Sequence, residues 1–293
     1  MLQQQHRFEW FDLDTFDRYC KPFLTPKDRL IAENYGKPLA QMSSALGRRL
    51  SILDVGTGEG SLIRKIADTH PTLALAITCV EPEKAARPML ESLQAEHFRD
   101  GRSMRIETMP ISGFLEKVSE TYDVIFCNHC LYHINKQQWE NLILSLRARL
   151  SESGRLFVEL VSQESDIYRI YSCLESQPGF SSATFRTFDI HGYLYFAEDL
   201  ASLRSAVDAM STRRLESYIQ ILPDALREIA DQFSGRRGEA RFIQFLAFMF
   251  RMRPQDLAVL GRPCLHWLIA PSNLQSGLSL KTIDTVFEFG RPP

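Results

Sequence analysis

The stretch LDVGTGEGSL, residues 53–62, decides the architecture. It starts inside a short apolar run, LSILDV (50–55), passes through glycines at alternate positions, and runs into SLIRKIADTH, whose apolar residues have helical spacing. Gly56, Gly58 and Gly60 let the backbone turn sharply and approach a ligand with no Cβ in the way. A helix beginning just beyond them presents N–H groups that lack intrahelical partners. Alone, the stretch is also readable as a plain glycine-rich turn. The elements on either side of it narrow the choice.

LALAITCVEP (73–82) is a second β-like run, closed by Pro82 and followed by a helix carrying Met89, Leu90 and Leu93. SMRIETM (103–109) is a weaker strand, YDVIFCN (122–128) a buried one, KQQWENLILSLRARL (136–150) an amphipathic helix, and GRLFVELV (154–161) a further strand. Strands alternating with helices imply βαβ units and a parallel sheet covered on both faces. Beyond an irregular, aromatic-rich segment, AEDLASLRSAVDAM (197–210) reads as a helix and LESYIQIL (215–222) as a strand. A helical stretch follows from Pro223 to about 260, and CLHWLIAP (264–271) reads as a late strand. In FIQFLAFMF (242–250), Phe242, Phe245, Leu246 and Met249 form one helical stripe, the pattern of core packing.

Glu81 closes the second strand, and open α/β sheets bind ligands outside the carboxyl ends of their strands. A carboxylate there can accept both hydroxyls of a ribose, each charge-assisted bond contributing ~1.5–3 kcal/mol. A dinucleotide site prefers G-x-G-x-x-G. Here the spacing is G-x-G-x-G, with Ser61 where the third glycine would fall, which disfavours an NAD enzyme. Asp54, at the end of the first strand, is placed to meet a cationic amino-acid moiety. A non-catalytic nucleoside-binding protein stays open on these residues.

The chain has 293 residues and a formal net charge of −2, with 34 basic against 36 acidic residues. That balance argues against a nucleic-acid binder working through a basic field. MLQQQHRFEWFD lacks the apolar core of a signal peptide, and no apolar run approaches the ~20 residues of a membrane span. The six cysteines do not form a disulfide framework and read as free thiols of a reducing, cytoplasmic compartment. CNHCLYHI (127–134) raises the question of a metal. A structural zinc site needs four ligands, no second pair is present, and strand alternation turns successive side chains to opposite faces. Cys127 and Cys130 are therefore expected to be small buried hydrophobes, with no metal bound. His129 and His133 sit where the fourth strand ends, beside the expected ligand crevice.

The run LDVGTGEG resembles motif I of class I S-adenosylmethionine-dependent methyltransferases, an apolar–Asp–apolar–Gly–x–Gly–x–Gly pattern, and VEP resembles their ribose-binding motif. The likeness covers about 50 to 162. It implies an α/β, Rossmann-like seven-stranded sheet with helices on both faces, ending in an antiparallel edge strand to which CLHWLIAP is matched. Within that class the chain resembles the histamine N-methyltransferase family. FDRYCKPFLTPKDRL, VEPEKA and YDVIFCNHCLYHI carry this resemblance, together with the helical insertion before the last strand. The resemblance implies an N-terminal helical cover (1–46), a core (47–222 with 263–271), a helical substrate lobe (223–262) and a tail (272–293). It implies S-adenosylmethionine as cofactor and S-adenosylhomocysteine as product, held by Gly56, Gly58, Gly60 and Glu81, with Ser112 and Asn128 at the border of the site. His129 is then the catalytic candidate, as a base or as a group that orients the acceptor. Asp28, His133, Phe16, Tyr19 and Tyr132 become substrate-side candidates. The implied acceptor is a small molecule, an amine or imidazole-like nitrogen, with oxygen or carboxylate acceptors as the alternative. No nucleic-acid or membrane partner is implied, and the expected state is a monomer or weak homodimer.

Overall fold

The structure is a computed structural model that describes residues 21–99, 101–177, 196–201, 211–236, 240–250 and 254–292. In chain order the elements are α1 (Lys21–Leu46), β1 (Leu50–Val55), α2 (Ser61–Thr69), β2 (Leu75–Val80), α3 (Arg87–His97), β3 (Ser103–Glu107) and α4 (Ile111–Lys117). They continue with β4 (Tyr122–Asn128), α5 (Lys136–Arg147), β5 (Leu150–Val161), α6 (Asp166–Glu175), α7 (Ala197–Ala201) and β6 (Ser211–Ile221). The last are α8 (Pro223–Phe233), α9 (Arg241–Phe250), α10 (Pro254–Leu260), α11 (Arg262–Leu265), α12 (Pro271–Ser276) and β7 (Leu278–Gly290). The strands form one 7-stranded sheet in the order β3-β2-β1-β4-β5-β7-β6. β1 to β5 run parallel, and β7 pairs antiparallel with β5.

The central parallel strands β1, β2 and β4 are mostly apolar because both faces are covered. Alternate residues of β4 enter opposite cores. Ile125 and Cys127 pack with Trp139, Ile143 and Leu146 of α5, whereas Val124 and Phe126 pack with Tyr35 and Leu39 of α1 and with Ile63 and Ile66 of α2. The same alternation splits Leu53 and Val55 of β1 from Leu50 and Ile52. It follows from side chains leaving a strand on alternating sides. Below the sheet's amino edge, buried Asp123 receives both guanidinium nitrogens of Arg48 at 2.7 Å and 2.7 Å, which fixes where β4 starts against β1.

The chain divides into two compact units: one of residues 26–163, 195–217 and 283–293, the other of residues 1–25, 164–194 and 218–282. In the second unit the α9 stripe is core as expected. Phe242, Phe245 and Leu246 are fully buried, and Phe23 packs edge-on to Phe242 with ring centroids 5.4 Å apart.

Three expectations need correction. CLHWLIAP is not a strand: Arg262–Leu265 is helical, His266–Ile269 is a 3-10 turn and Pro271 opens α12. The seventh strand is Leu278–Gly290, in the segment expected to be a tail, and it lies between β5 and β6 with no sheet edge of its own. The helices between the last two strands therefore extend from Pro223 to Ser276. Nor are all six cysteines thiols, because Cys173 of α6 and Cys264 of α11 form a disulfide.

Candidate functional site

β1 ends at Val55, and the glycine loop turns directly out of it. Gly56 N–H donates to Val80 O at 2.8 Å, locking the loop onto the end of β2. Gly56 has φ 65°, and a Cβ there would lie 2.5 Å from Cys130 Cβ, so only glycine fits between β1 and the β4 turn. Gly58 has φ 57°, but a Cβ there meets nothing within 4 Å. Its smallness is unused by the protein's own packing, which leaves a bare stretch of backbone facing open space.

Glu81 holds the loop from the other side. Its Oε2 accepts the Gly58 N–H at 2.8 Å and its Oε1 accepts the Glu83 N–H at 2.8 Å. Burial raises its carboxyl above the usual range, against the lowering effect of those amides. Asp54 is 4 % exposed. Burial pushes its carboxyl up to about 7, and the Glu81 charge adds to the rise. Two carboxylates so placed, beside a glycine backbone open on one side, suit a ligand with a cationic end and vicinal hydroxyls.

The β4 turn completes this crest. Asn128 ends the strand, and its buried amide lies next to the Tyr35 hydroxyl, beyond well-formed hydrogen-bond geometry. His129 follows in the left-handed region, φ 52°, the one non-glycine residue with positive φ among the described residues. That reversal overturns the expectation that Cys127 and the residues after it diverge. The chain doubles back, and the Cys127 and Cys130 sulfurs lie 3.0 Å apart, both buried. The hydrogen bond to Cys127 is the largest cause of a Cys130 thiol held well above its ordinary range, with burial adding to it, so Cys130 stays a protonated, packed thiol.

His129 is clamped on several sides. Its backbone N–H donates to Glu159 O at 3.0 Å, and its Nε2 meets Glu159 Oε1 at 3.0 Å. Nδ1 meets the Tyr132 hydroxyl at 3.2 Å, and the two rings stack with centroids 5.9 Å apart. The Tyr132 oxygen accepts the Val161 N–H at 2.7 Å, and Glu159 Oε2 accepts the Tyr35 hydroxyl at 3.2 Å. Asp284 Oδ1 lies 4.0 Å from Nε2. Together His129, Glu159 and Asp284 offer ligand atoms within 4.8 Å of one another. Register accounts for the convergence. Asn128 pairs with Glu159 and Val161 with Asp284, so three adjacent strands deliver these groups to one spot.

Four of the remaining candidates lie among the described residues. Ser112 is exposed in the first turn of α4, His133 is exposed in the 3-10 turn Leu131–His133, and Tyr132 is half-buried there. Asp28 lies within α1, and Phe16 and Tyr19 fall outside the described residues. Glu159, Asp284 and Tyr35 were missed from the sequence. The available signal was a lone acid inside an apolar strand, as in LFVELV and TIDTVF, because an ionised side chain is seldom buried in a sheet without a task or a partner.

A mixed seven-stranded sheet of this order, with a glycine loop after β1 and an acid after β2, is a Rossmann-like fold of the nucleoside-binding class. The model for the methyltransferase domain family matches residues 28–206, more than half of the chain. The chain belongs to that family, whose members bind S-adenosylmethionine. No curated protein sequence matches it by direct comparison. Several solved structures are similar at low identity. The plantazolicin methyltransferase BamL, solved with a triazolic desmethyl analogue and S-adenosylhomocysteine, is 15% identical over 94% of this chain and 89% of that one, TM-score 0.46. A sarcosine dimethylglycine methyltransferase of Galdieria sulphuraria is 16% identical over 88% and 86%, TM-score 0.44. The cyclopropane synthase MmaA2 of Mycobacterium tuberculosis is 14% identical over 85% and 83%, TM-score 0.43.

Proposed function

We propose that this protein transfers the sulfonium methyl of S-adenosylmethionine to a nitrogen of a small amine or imidazole-like acceptor. The observation that carries the cofactor reading is the Glu81 bridge. One carboxylate braces the bare Gly58 backbone and keeps lone pairs for ribose hydroxyls, with Asp54 beside it for the cationic amino-acid end. In this reading the buried Asn128 amide and Ser112 border the nucleoside. His129, His133, Tyr132 and Asp28 serve the acceptor. The histamine N-methyltransferase resemblance and the buried acids around His129 favour nitrogen, since a protonated amine is drawn to carboxylates and must lose a proton to react.

The sulfonium is already an activated donor, so positioning does most of the work. A near-attack geometry supplies ~7–11 kcal/mol of the barrier reduction. His129 can take the acceptor's proton or, for an imidazole, orient the ring. Calorimetry tests the cofactor assignment. Glu81→Ala should raise the S-adenosylmethionine Kd at least about tenfold, given the ribose bonds lost. An unchanged Kd rejects the assignment. A screen of amines, imidazoles, phenols and acids for S-adenosylhomocysteine release then identifies the acceptor, and turnover of phenols or acids alone overturns the nitrogen reading.

A further inference from the structure

We propose that Glu159 is the positioning residue that fixes the tautomer of His129, so that Nδ1, acting through the Tyr132 hydroxyl, receives the proton lost by the acceptor. This rests on the methyl-transfer reading and adds to it the direction in which the proton leaves.

The argument starts from a carboxylate with no exposed surface. Glu159 is 0% exposed, and its Oε1 lies 3.0 Å from His129 Nε2. A carboxylate oxygen has only lone pairs to offer, so the ring nitrogen facing it carries the hydrogen. In neutral imidazole that leaves the lone pair on Nδ1. Nδ1 faces the Tyr132 hydroxyl at 3.2 Å, and with Nδ1 carrying the lone pair that hydroxyl is the donor, while its oxygen accepts the Val161 N–H at 2.7 Å. Tyr35 ties Glu159 Oε2 to α1 at 3.2 Å, and its ring is packed between Phe126 and Phe157, with centroids 5.0 Å and 5.2 Å away. The contacts on its two nitrogens, with the Tyr132 ring stacked at 5.9 Å, oppose a turn of the ring that would exchange its nitrogens.

The step balances as follows. The acceptor nitrogen's lone pair forms the new N–CH3 bond while the S–CH3 pair stays on sulfur, giving the thioether. The acceptor's N–H proton passes to the Tyr132 oxygen, whose own hydrogen moves to Nδ1. The outcome is methylated amine, neutral Tyr132 and an imidazolium. Burial holds the Tyr132 phenol well above its ordinary range, so it relays a proton without resting as phenolate. Among the described residues, the charged groups facing the imidazolium are Glu159 from β5 and Asp284 from β7. Tyr132 faces it from its own turn, Tyr35 of α1 holds the other oxygen of Glu159, and Arg213 of β6 acts on Tyr35.

The test uses the full chain labelled at histidine nitrogen. In the neutral form His129 should show a hydrogen on Nε2, and a hydrogen on Nδ1 overturns the proposal. Glu159→Gln, whose amide donates, should move that hydrogen to Nδ1. It should also shift the acidic limb of kcat/KM about one to three pH units lower, because the carboxylate no longer stabilises the imidazolium. An unmoved limb with an unmoved tautomer overturns the proposal. Should Glu159→Gln not fold, Tyr132→Phe is read instead: kcat falls, the Nε2 hydrogen remains and the cofactor Kd is unchanged, whereas unchanged kcat removes the relay. Stoichiometric broadening of the His129 signals by manganese(II) replaces the relay with a cation site. Failure of S-adenosylmethionine to bind sinks the methyl-transfer reading and leaves the tautomer result standing.

Discussion

Asp54 is the residue where burial and chemistry pull hardest against each other. Its carboxyl is pushed up to about 7, from an ordinary 3.8, chiefly because the end of β1 is dry and secondarily because Glu81 is close. An acid whose folded value is raised holds a proton in the fold that it has already lost in the unfolded chain. Stability therefore falls as pH rises between those two values, and the full penalty is present above about 7. A cationic ligand end reverses the preference by favouring the carboxylate. Cofactor affinity should weaken as pH drops from 7 to 5.5, by up to about tenfold per unit. Asp54→Asn should flatten that slope and raise stability at pH 8 by as much as about 4 kcal/mol, with no gain at pH 4. Calorimetry and urea unfolding at those pH values check both arms. A slope that persists in the variant moves the titration to another group. Asp54 and Glu81 were legible from the sequence because each closes an apolar strand next to a turn. Glu159 and Asp284 were not, since nothing local tells that β5 and β7 lie beside β4.

At the scale of elements, the glycine loop separates two uses of one residue type. Gly56 is glycine because the β4 turn presses on it, and Gly58 is glycine although nothing in the protein does. Gly56→Ala should cost about 1–2 kcal/mol for its left-handed φ and a further ~1–3 kcal/mol for the contact with Cys130. Gly58→Ala should cost only about 1–2 kcal/mol of fold stability, yet raise the cofactor Kd at least about tenfold, since its methyl takes the space of the ligand's approach. Denaturation and calorimetry on both variants decide it, and intact affinity in Gly58→Ala places the cofactor elsewhere. The first five strands were legible because their apolar runs end in turn residues. The seventh was not, for a physical reason. LSLKTIDTVFEFG carries Lys281, Asp284 and Glu288 within the strand, and the last two are held by neighbours that the sequence does not reveal: Asp284 near His129, and Glu288 by Arg155 at 3.2 Å. CLHWLIAP has the opposite character. It is apolar enough for a strand, but Pro263 opens one helical turn and Pro271 the next.

Over the whole molecule, the chain forms two compact units and passes between them repeatedly. Each passage adds loop-closure entropy, which makes the unit of residues 164–194 and 218–282 the one most in need of a cross-link. Cys173 and Cys264 supply it across a sequence separation of 91 residues. In the chain-entropy account a loop of that length stabilises by somewhat over 4 kcal/mol, and native disulfides deliver about 2–4 kcal/mol in practice. Cys264→Ser, or reduction of the intact protein, should therefore lower the unfolding free energy by about 2–4 kcal/mol. The loss should be local, because the glycine loop, Glu81 and Asn128 all lie in the other unit. Limited proteolysis under reductant should open cuts within 218–276 first, while calorimetry still reads an unchanged cofactor Kd. Equal protease resistance with and without reductant would show that the cross-link adds nothing to the helical unit. Simultaneous loss of cofactor binding would show instead that the two units unfold as one, with the disulfide supporting the crest as well.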